Sequence, residues 1–551
     1  MNRRPTRRAV LAGGLAAGGI ALGSPLAAVP AAAQAGARFA LRIADGGKGR
    51  PISPLIYGSN EIGTMDGGAP SATLDRAAGV TARRLGGNLM TTYNWVDNAA
   101  NAGKDYQQAN GPFLLDALGL PRKEWTKPAR LIEAMHETSL AMGARSLVTV
   151  PLAGSVAADF GGPVPPDQAA PSPRFVPVRW TSDAKAGDPI VPAVADIPQL
   201  LARLVETYGG ADGGRGIHAY ALDNEPGLWF ETHPRVVIAK PTIRAFIERS
   251  LAASRAIKRA DPAAQVFGPV SWGATEMQSF QDAPDWNDYR HHGSFVAAYL
   301  DAFRRASEQD GIRLLDALDV HWYPYSHSGD LFRTEDPALA TALLEAPRSL
   351  TEAGFREDSW VPRALPAFTG EAQLGLPLLP SLEAIIAANF PGTAIAVTEF
   401  NYGGAGQLAS GLALADVLGR FGRHDVTFAS HWGSLDGWLG EAYRLYREPD
   451  ATGARFGSQG FDVAVEGGPG LVAYAAADKA GALQLVVINK TEQPAVADIS
   501  FETGRDRRIA ATLGFDAEHT SLSALDAAGL PVDGALRLEL PARSARRYTF
   551  A

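Results

Sequence analysis

No cysteine occurs among the 551 residues, which excludes disulfides and every thiolate-based metal or redox site. A basic excess is missing too. Asp and Glu number 59 against 51 Lys and Arg, a formal charge of −8, so general electrostatic binding to nucleic acid or anionic lipid is not expected. Beyond the N-terminal segment, no apolar run is long enough to cross a bilayer. The signatures G-x-S-x-G, H-E-x-x-H and the Walker loop are absent as well, which leaves a serine hydrolase, a zinc protease and a nucleotide phosphatase without support.

What is present begins with "MNRRPTRRAVLAGGLAAGGIALGSPLAAVPAAAQA", which carries Arg3, Arg4, Arg7 and Arg8, no acids, an Ala/Gly stretch and an Ala33-Gln34-Ala35 processing site. "TRRAVL" is similar to a twin-arginine export signal. Residues 1–35 are therefore expected to be removed, the mature chain to be more acidic still, and the destination to be the periplasm or the medium. A protein exported already folded needs no oxidative stapling, in keeping with the missing cysteines.

Eight short β-rich runs follow, several of them separated by amphipathic helical patterns such as "IPQLLARLVETYGG" and "GQLASGLALADVLGRFGRH". They cover 53–60, 81–88, 145–154, 216–226, 265–272, 315–324, 393–402 and 425–432. Eight strands alternating with helices predict an α/β fold, a (β/α)₈ TIM-like barrel over residues 50–455, with the active site at the C-terminal strand ends. The Pro-rich stretch 161–193 is long enough to be either a wall over a cleft or a floppy insertion. After residue 455 period-two alternation takes over. Residues 36–49, with the strand pattern "ARFALRI", and 456–551 are predicted to form a small antiparallel β-sandwich.

Two apolar strands end in glutamate: "HAYALDNEP" in Glu225 and "AIAVTEF" in Glu399. Strand ends three apart face each other across a barrel mouth, where two carboxylates can flank one bond of a polysaccharide. Taken singly, either glutamate is more often a surface or ion-pair residue. Together, each with polar and aromatic company, they point to glycoside hydrolysis. Leu228 and Trp229 beside Glu225 suit a carboxyl with a raised pKa, the acid/base. Thr398, Asn401 and Tyr402 beside Glu399 suit an ionised nucleophile. Arg84 either orients Glu399 or makes a barrel-core ion pair, and His321 and Tyr323 on the sixth strand can reach either carboxylate.

"ALDNEPGLWFETH", "VTEFNYGGAGQLASGLALADVLGRFG", "RRLGGNLMTTYNWVDNAANAG" and "SPLIYGSNE" resemble segments of glycoside hydrolase family 44. The resemblance implies a barrel-plus-sandwich enzyme and a retaining endo-β-1,4-glucanase, with relatives acting on xyloglucan, xylan or related glucans. It also implies catalytic glutamates on strands four and seven, Glu225 and Glu399, and Asn224 bound to the sugar 2-hydroxyl. No cofactor is implied, and the expected partner is a polysaccharide met by a monomer. Family members often carry a calcium-type loop after strand three. Here "VAADFGGPV" keeps Asp159 but lacks a second acid, which argues against a structural calcium. The segment "DSWVPRALPAFTGEAQLG" departs from the family pattern, leaving the family's substrate contacts there without a counterpart.

Sugar subsites need flat apolar faces edged by polar groups. Trp95, Trp229, Trp322, Trp432, Tyr323 and Tyr402 fall just past strand ends and are candidates, Trp432 and Tyr402 foremost. Trp272 reads as barrel closure. Asn60 and Asn88 are placed on the cleft floor, and Gly86-Gly87 reads as a close-packing device. Two rival readings stand beside this one. "GAGQLA" (404–409) matches the dinucleotide fingerprint G-x-G-x-x-A, but Asp425 precedes the next strand instead of ending it. A non-catalytic polysaccharide-binding protein would need neither glutamate.

Overall fold

Parallel pairing runs unbroken around eight strands and closes on itself: Ser430 and His431 of the last face Gly58 and Ser59 of the first. The strands are Gly58–Asn60, Ala82–Leu85, Arg145–Val150, Ala219–Leu222, Gln265–Ser271, Ala317–Trp322, Ala394–Phe400 and Val426–His431. All eight lie inside the runs predicted from sequence. This computed structural model describes residues 37–63, 69–526, 529–532 and 535–551; the expected signal, residues 1–35, lies outside them. Small and large side chains alternate in the barrel interior. Ala82, Ala219, Ala221, Ala317 and Ala396 leave room for Phe267 and Phe428, whose rings meet edge to face at 5.4 Å.

The helices bury their apolar stripes against the outside of the barrel, and three of the long ones start at a side-chain cap. Asp196 caps Ile197–Tyr208 by accepting from Gln199 N at 3.1 Å, Thr242 caps Ile243–Ala260, and Ser294 caps Phe295–Asp310. Leu408–Arg423 is buried along most of its length because it lies between the barrel and the C-terminal sheets.

Those sheets have five and seven strands and share one core, built from Phe39, Leu41, Leu485, Val487, Ile499, Leu538 and Phe550 among others. The N-terminal strand Ala37–Ile43 joins the five-stranded sheet, as predicted, but runs parallel to Ala495–Phe501. It arrives from the far end of the chain, so no hairpin imposes the antiparallel direction. Arg50–Pro51 also pairs with Gln459–Gly460. The Pro-rich stretch is neither wall nor floppy insertion. Phe175–Arg179 pairs with Ser155–Ala157 and Ala195–Asp196, and Gly162–Pro163 with Ala109–Asn110. None of residues 161–193 lines the cleft between the glutamates.

Candidate active site

At the C-terminal mouth of the barrel, a cleft of 360 Å³ is lined by Gly87, Asn88, Asp105, Asn224, Glu225, Tyr323, Glu399 and Trp432, among others. A larger cavity of 730 Å³ opens between the sandwich and the end of Leu408–Arg423. Its two carboxylates, Asp462 and Glu352, are already taken by Arg50 and Arg420 at 2.9 and 2.7 Å.

Both glutamates owe their direction to a break in the strand ladder. In the fifth strand an additional residue, Val270, interrupts the register at φ 62°, and its carbonyl accepts the Glu225 N–H at 3.0 Å. Glu225 itself sits in the left-handed region, φ 45° and ψ 54°, a conformation that a non-glycine residue keeps only where its surroundings enforce it. In the seventh strand a second bulge precedes Glu399. One oxygen of each glutamate and a ring nitrogen of His321 lie within 4.8 Å of one another.

The two carboxyls live in different surroundings. Burial raises Glu225 to about 7, a push that the nearby Arg84 opposes and Asp105 reinforces. Its one close polar partner is His321 Nδ1, 2.9 Å from Oε1. Burial holds that imidazole down to about 3, so the contact is a hydrogen bond of a neutral ring and not an ion pair. Glu399 instead accepts from Arg84 Nη1 at 2.7 Å and from the Tyr323 hydroxyl at 2.8 Å. Arg84 also donates to Asn60 Oδ1 at 2.9 Å and to Asn224 Oδ1 at 2.7 Å. It is therefore both the orienting group and the buried ion pair that the sequence left open.

Not every predicted sugar contact reaches the cleft. Trp432 does, half-buried, with its ring over Gly87. Asn88 and Asn224 line it too, their side chains 3.4 Å apart. Trp95, Trp229, Trp322 and Tyr402 are at most 3% exposed and are withdrawn as sugar contacts. Trp322 follows inward-facing His321 and so points outward into the helix layer, as strand alternation requires. Trp229 lies behind the loop, donating to Asn224 O at 3.0 Å and packing on Phe246. Asn60 is 1% exposed, its amide given to the carbonyls of Thr398, Ser430 and His431, so it is withdrawn as well. Sequence reasoning missed Asp105, Leu89 and Leu114, which line the cleft from the short helical turns Gly103–Asp105, Asn88–Thr91 and Phe113–Ala117, too brief to show a period. It also missed Asp319, although a charged residue inside the apolar run "LDALDV" was a visible signal.

Among the described residues, Glu225, His321 and Glu399 are also the acids and histidine close enough to share an ion, but Arg84 already holds Glu399. Asp159, the candidate calcium ligand, accepts from Arg174 Nε at 2.7 Å. The dinucleotide reading fails on geometry: Glu335 fills the "GAGQLA" turn, its carboxylate accepting from Gly406 N at 3.0 Å where a phosphate would sit.

The family model of glycoside hydrolase family 44 matches residues 99–326. A family 44 xyloglucanase from Paenibacillus polymyxa superposes with a TM-score of 0.86 at 32% identity, over 94% of this chain and 100% of that one. The chain belongs to glycoside hydrolase family 44. A family 44 endoglucanase from Clostridium thermocellum superposes with a TM-score of 0.85 at 32% identity, again over 94% and 100%. Endoglucanase A of Paenibacillus lautus is 36% identical over 479 residues, 84% of this chain; the chain spans 66% of that relative's length. The family 44 barrel and sandwich are thus both present here, and the protein is a glycoside hydrolase.

Proposed function

We propose that this family 44 chain is a retaining endo-β-1,4-glucanase acting on cellulose-type glucan or xyloglucan, with Glu225 as acid/base and Glu399 as nucleophile. The observation that carries this reading is the pair of carboxyls, oxygens within 4.8 Å, in unequal surroundings. Retaining enzymes hold their carboxyls about 5–5.5 Å apart, whereas inverting enzymes leave about 6.5–9.5 Å for a water. Glu399 attacks the anomeric carbon while Glu225 passes its proton to the departing glycosidic oxygen, giving a covalent glycosyl-enzyme. Glu225, now ionised, takes a proton from water, whose oxygen attacks the same carbon and frees Glu399. Trp432 offers the apolar face for a pyranose, and Asn224 and Asn88 its polar edge. The activities for which the relatives are named, endoglucanase and xyloglucanase, support this substrate class.

We also propose export through the twin-arginine route, on the N-terminal pattern. No helix among the described residues is long and apolar enough to cross a membrane.

The test is incubation with carboxymethyl-cellulose, xyloglucan, mixed-linkage glucan, xylan and mannan. Reducing ends are followed chemically and the anomer of the first product by NMR. Cleavage of a β-1,4-glucan with the β-anomer formed first is expected. The α-anomer first overturns the retaining mechanism, cleavage of xylan or mannan alone overturns the substrate class, and no cleavage of any of them overturns the enzyme.

A further inference from the structure

Asp223, Glu276 and Asp319 are carboxyl groups fully buried around the catalytic pair, and Asp319 governs where Glu399 points. Along the seventh strand Ala396 faces the barrel interior and Val397 the helices. Strict alternation would then turn Thr398 inward, Glu399 outward and Phe400 inward. Instead Phe400 packs outward, edge to face on Phe421 at 5.1 Å, and Glu399 reaches the cleft.

One additional residue makes the difference. On one side Val397 faces Val320 but Glu399 already faces His321; on the other, Val397 faces Ala429 and Phe400 faces His431. Thr398 is the extra residue, and a bulge of this kind re-aims the side chain that follows it. It also strips Thr398 of ladder partners, which must then be found elsewhere. The Thr398 N–H lies 3.3 Å from Asp319 Oδ1, its hydroxyl 2.8 and 2.9 Å from the two Asp319 carboxyl oxygens, and its carbonyl accepts from Asn60 Nδ2 at 2.9 Å.

We propose that Asp319 is a positioning residue that pins the Thr398 bulge and thereby holds Glu399 aimed into the cleft. It is 0% exposed and acts on substrate only through Thr398. The proposal rests on the nucleophile assignment made above for Glu399. Burial raises the Asp319 carboxyl to about 7, so below neutrality it is mainly the acid. Its O–H and C=O then both serve the one Thr398 hydroxyl, and no second anion stands under Glu399. An amide presents a donor and an acceptor in the same two places.

The experiment compares T398V, T398S, D319A and D319N at about pH 6, within the range where this carboxyl keeps its proton. T398V and D319A are expected to lose kcat by about 10- to 100-fold, the scale of a misplaced reacting group, with KM nearly unchanged. T398S and D319N are expected to restore most of the turnover. Wild-type kcat in T398V overturns the proposal, and so does T398S falling as far as T398V, which would assign the effect to the threonine methyl. Should D319A fail to fold, the T398V and T398S pair decides the matter alone. A separate arm, E399G with azide, tests the underlying assignment. An α-configured glycosyl azide is the product expected if Glu399 is the nucleophile, whereas absence of rescue removes that assignment, and this proposal with it.

Discussion

Arg84 donates one terminal nitrogen to Glu399 Oε1 and the other to Asn224 Oδ1, both at 2.7 Å, with no part of its side chain exposed. A single guanidinium thus sets the orientation of the proposed nucleophile and of the amide beside the proposed acid/base. Lysine has the charge but not the fork. R84K is expected to lose kcat by about 100-fold through misalignment while keeping the fold. R84A leaves Glu399 buried without its cation and is expected to cost about 3–5 kcal/mol of stability. Steady-state kinetics and urea denaturation distinguish the two. Full activity in R84K would show that charge alone suffices.

As the proposed acid/base, Glu225 has to carry its proton to the leaving oxygen, so kcat/KM is expected to fall as pH rises through about 7. E225Q removes turnover of polysaccharide but spares the first step on aryl glycosides whose leaving group needs no proton. The stability sign runs the same way. The folded carboxyl binds its proton more tightly than the unfolded one, whose value is 4.5. Stability from this group is therefore present below about 4.5 and lost by about 7. E225Q should gain on wild type across that window, by at most about 1.4 kcal/mol per pH unit. Denaturation midpoints of both proteins from pH 4.5 to 7 measure the difference, and a constant gap would remove the raised carboxyl.

The barrel was legible because each strand is a short apolar run with a polar end, and the two glutamates because they stand at such ends. Side-chain direction was less so. Alternation is readable only while the register is regular, and the extra residues Val270 and Thr398 break it beside Glu225 and Glu399. Tyr402 lies four residues beyond Thr398 and turns into the core, whereas Trp432, just past the end of the eighth strand, stays at the cleft. Asp105 was missed for a different reason: its loop approaches the mouth only because the short strands Ala100–Asn101 and Ala109–Gly111 pair and return it there.

Trp432 and Trp229 should therefore respond oppositely to substitution. W432A removes the apolar face proposed for a pyranose and is expected to lower kcat/KM roughly 3- to 10-fold with an unchanged melting temperature. G87A should mimic it in part, since a Cβ there would stand 2.6 Å from the Trp432 ring at φ 79°. W229A empties the core behind Asn224 and is expected to cost about 3–5 kcal/mol. W229F loses the hydrogen bond to Asn224 O, about 1 kcal/mol. Oligosaccharide affinity reduced in W229F as strongly as in W432A would return Trp229 to the sugar-binding surface.

Calcium is expected to leave this protein's melting temperature unchanged. Burial works to raise the Asp159 carboxyl, but hydrogen bonds from Arg174 and Gly161 N outweigh it and hold the group below the usual range. Its second oxygen also accepts from Arg174 Nη2 at 3.0 Å. A hard cation wants several anionic or carbonyl oxygens, and here it would have to displace a guanidinium to obtain one. R174A should cost no more than about 1 kcal/mol, because the pair is part-exposed. Thermal melts of both proteins, with millimolar calcium and with a chelator, are the measurement. A melting temperature of the wild type that climbs with calcium concentration would show that the ion, and not Arg174, owns that carboxylate.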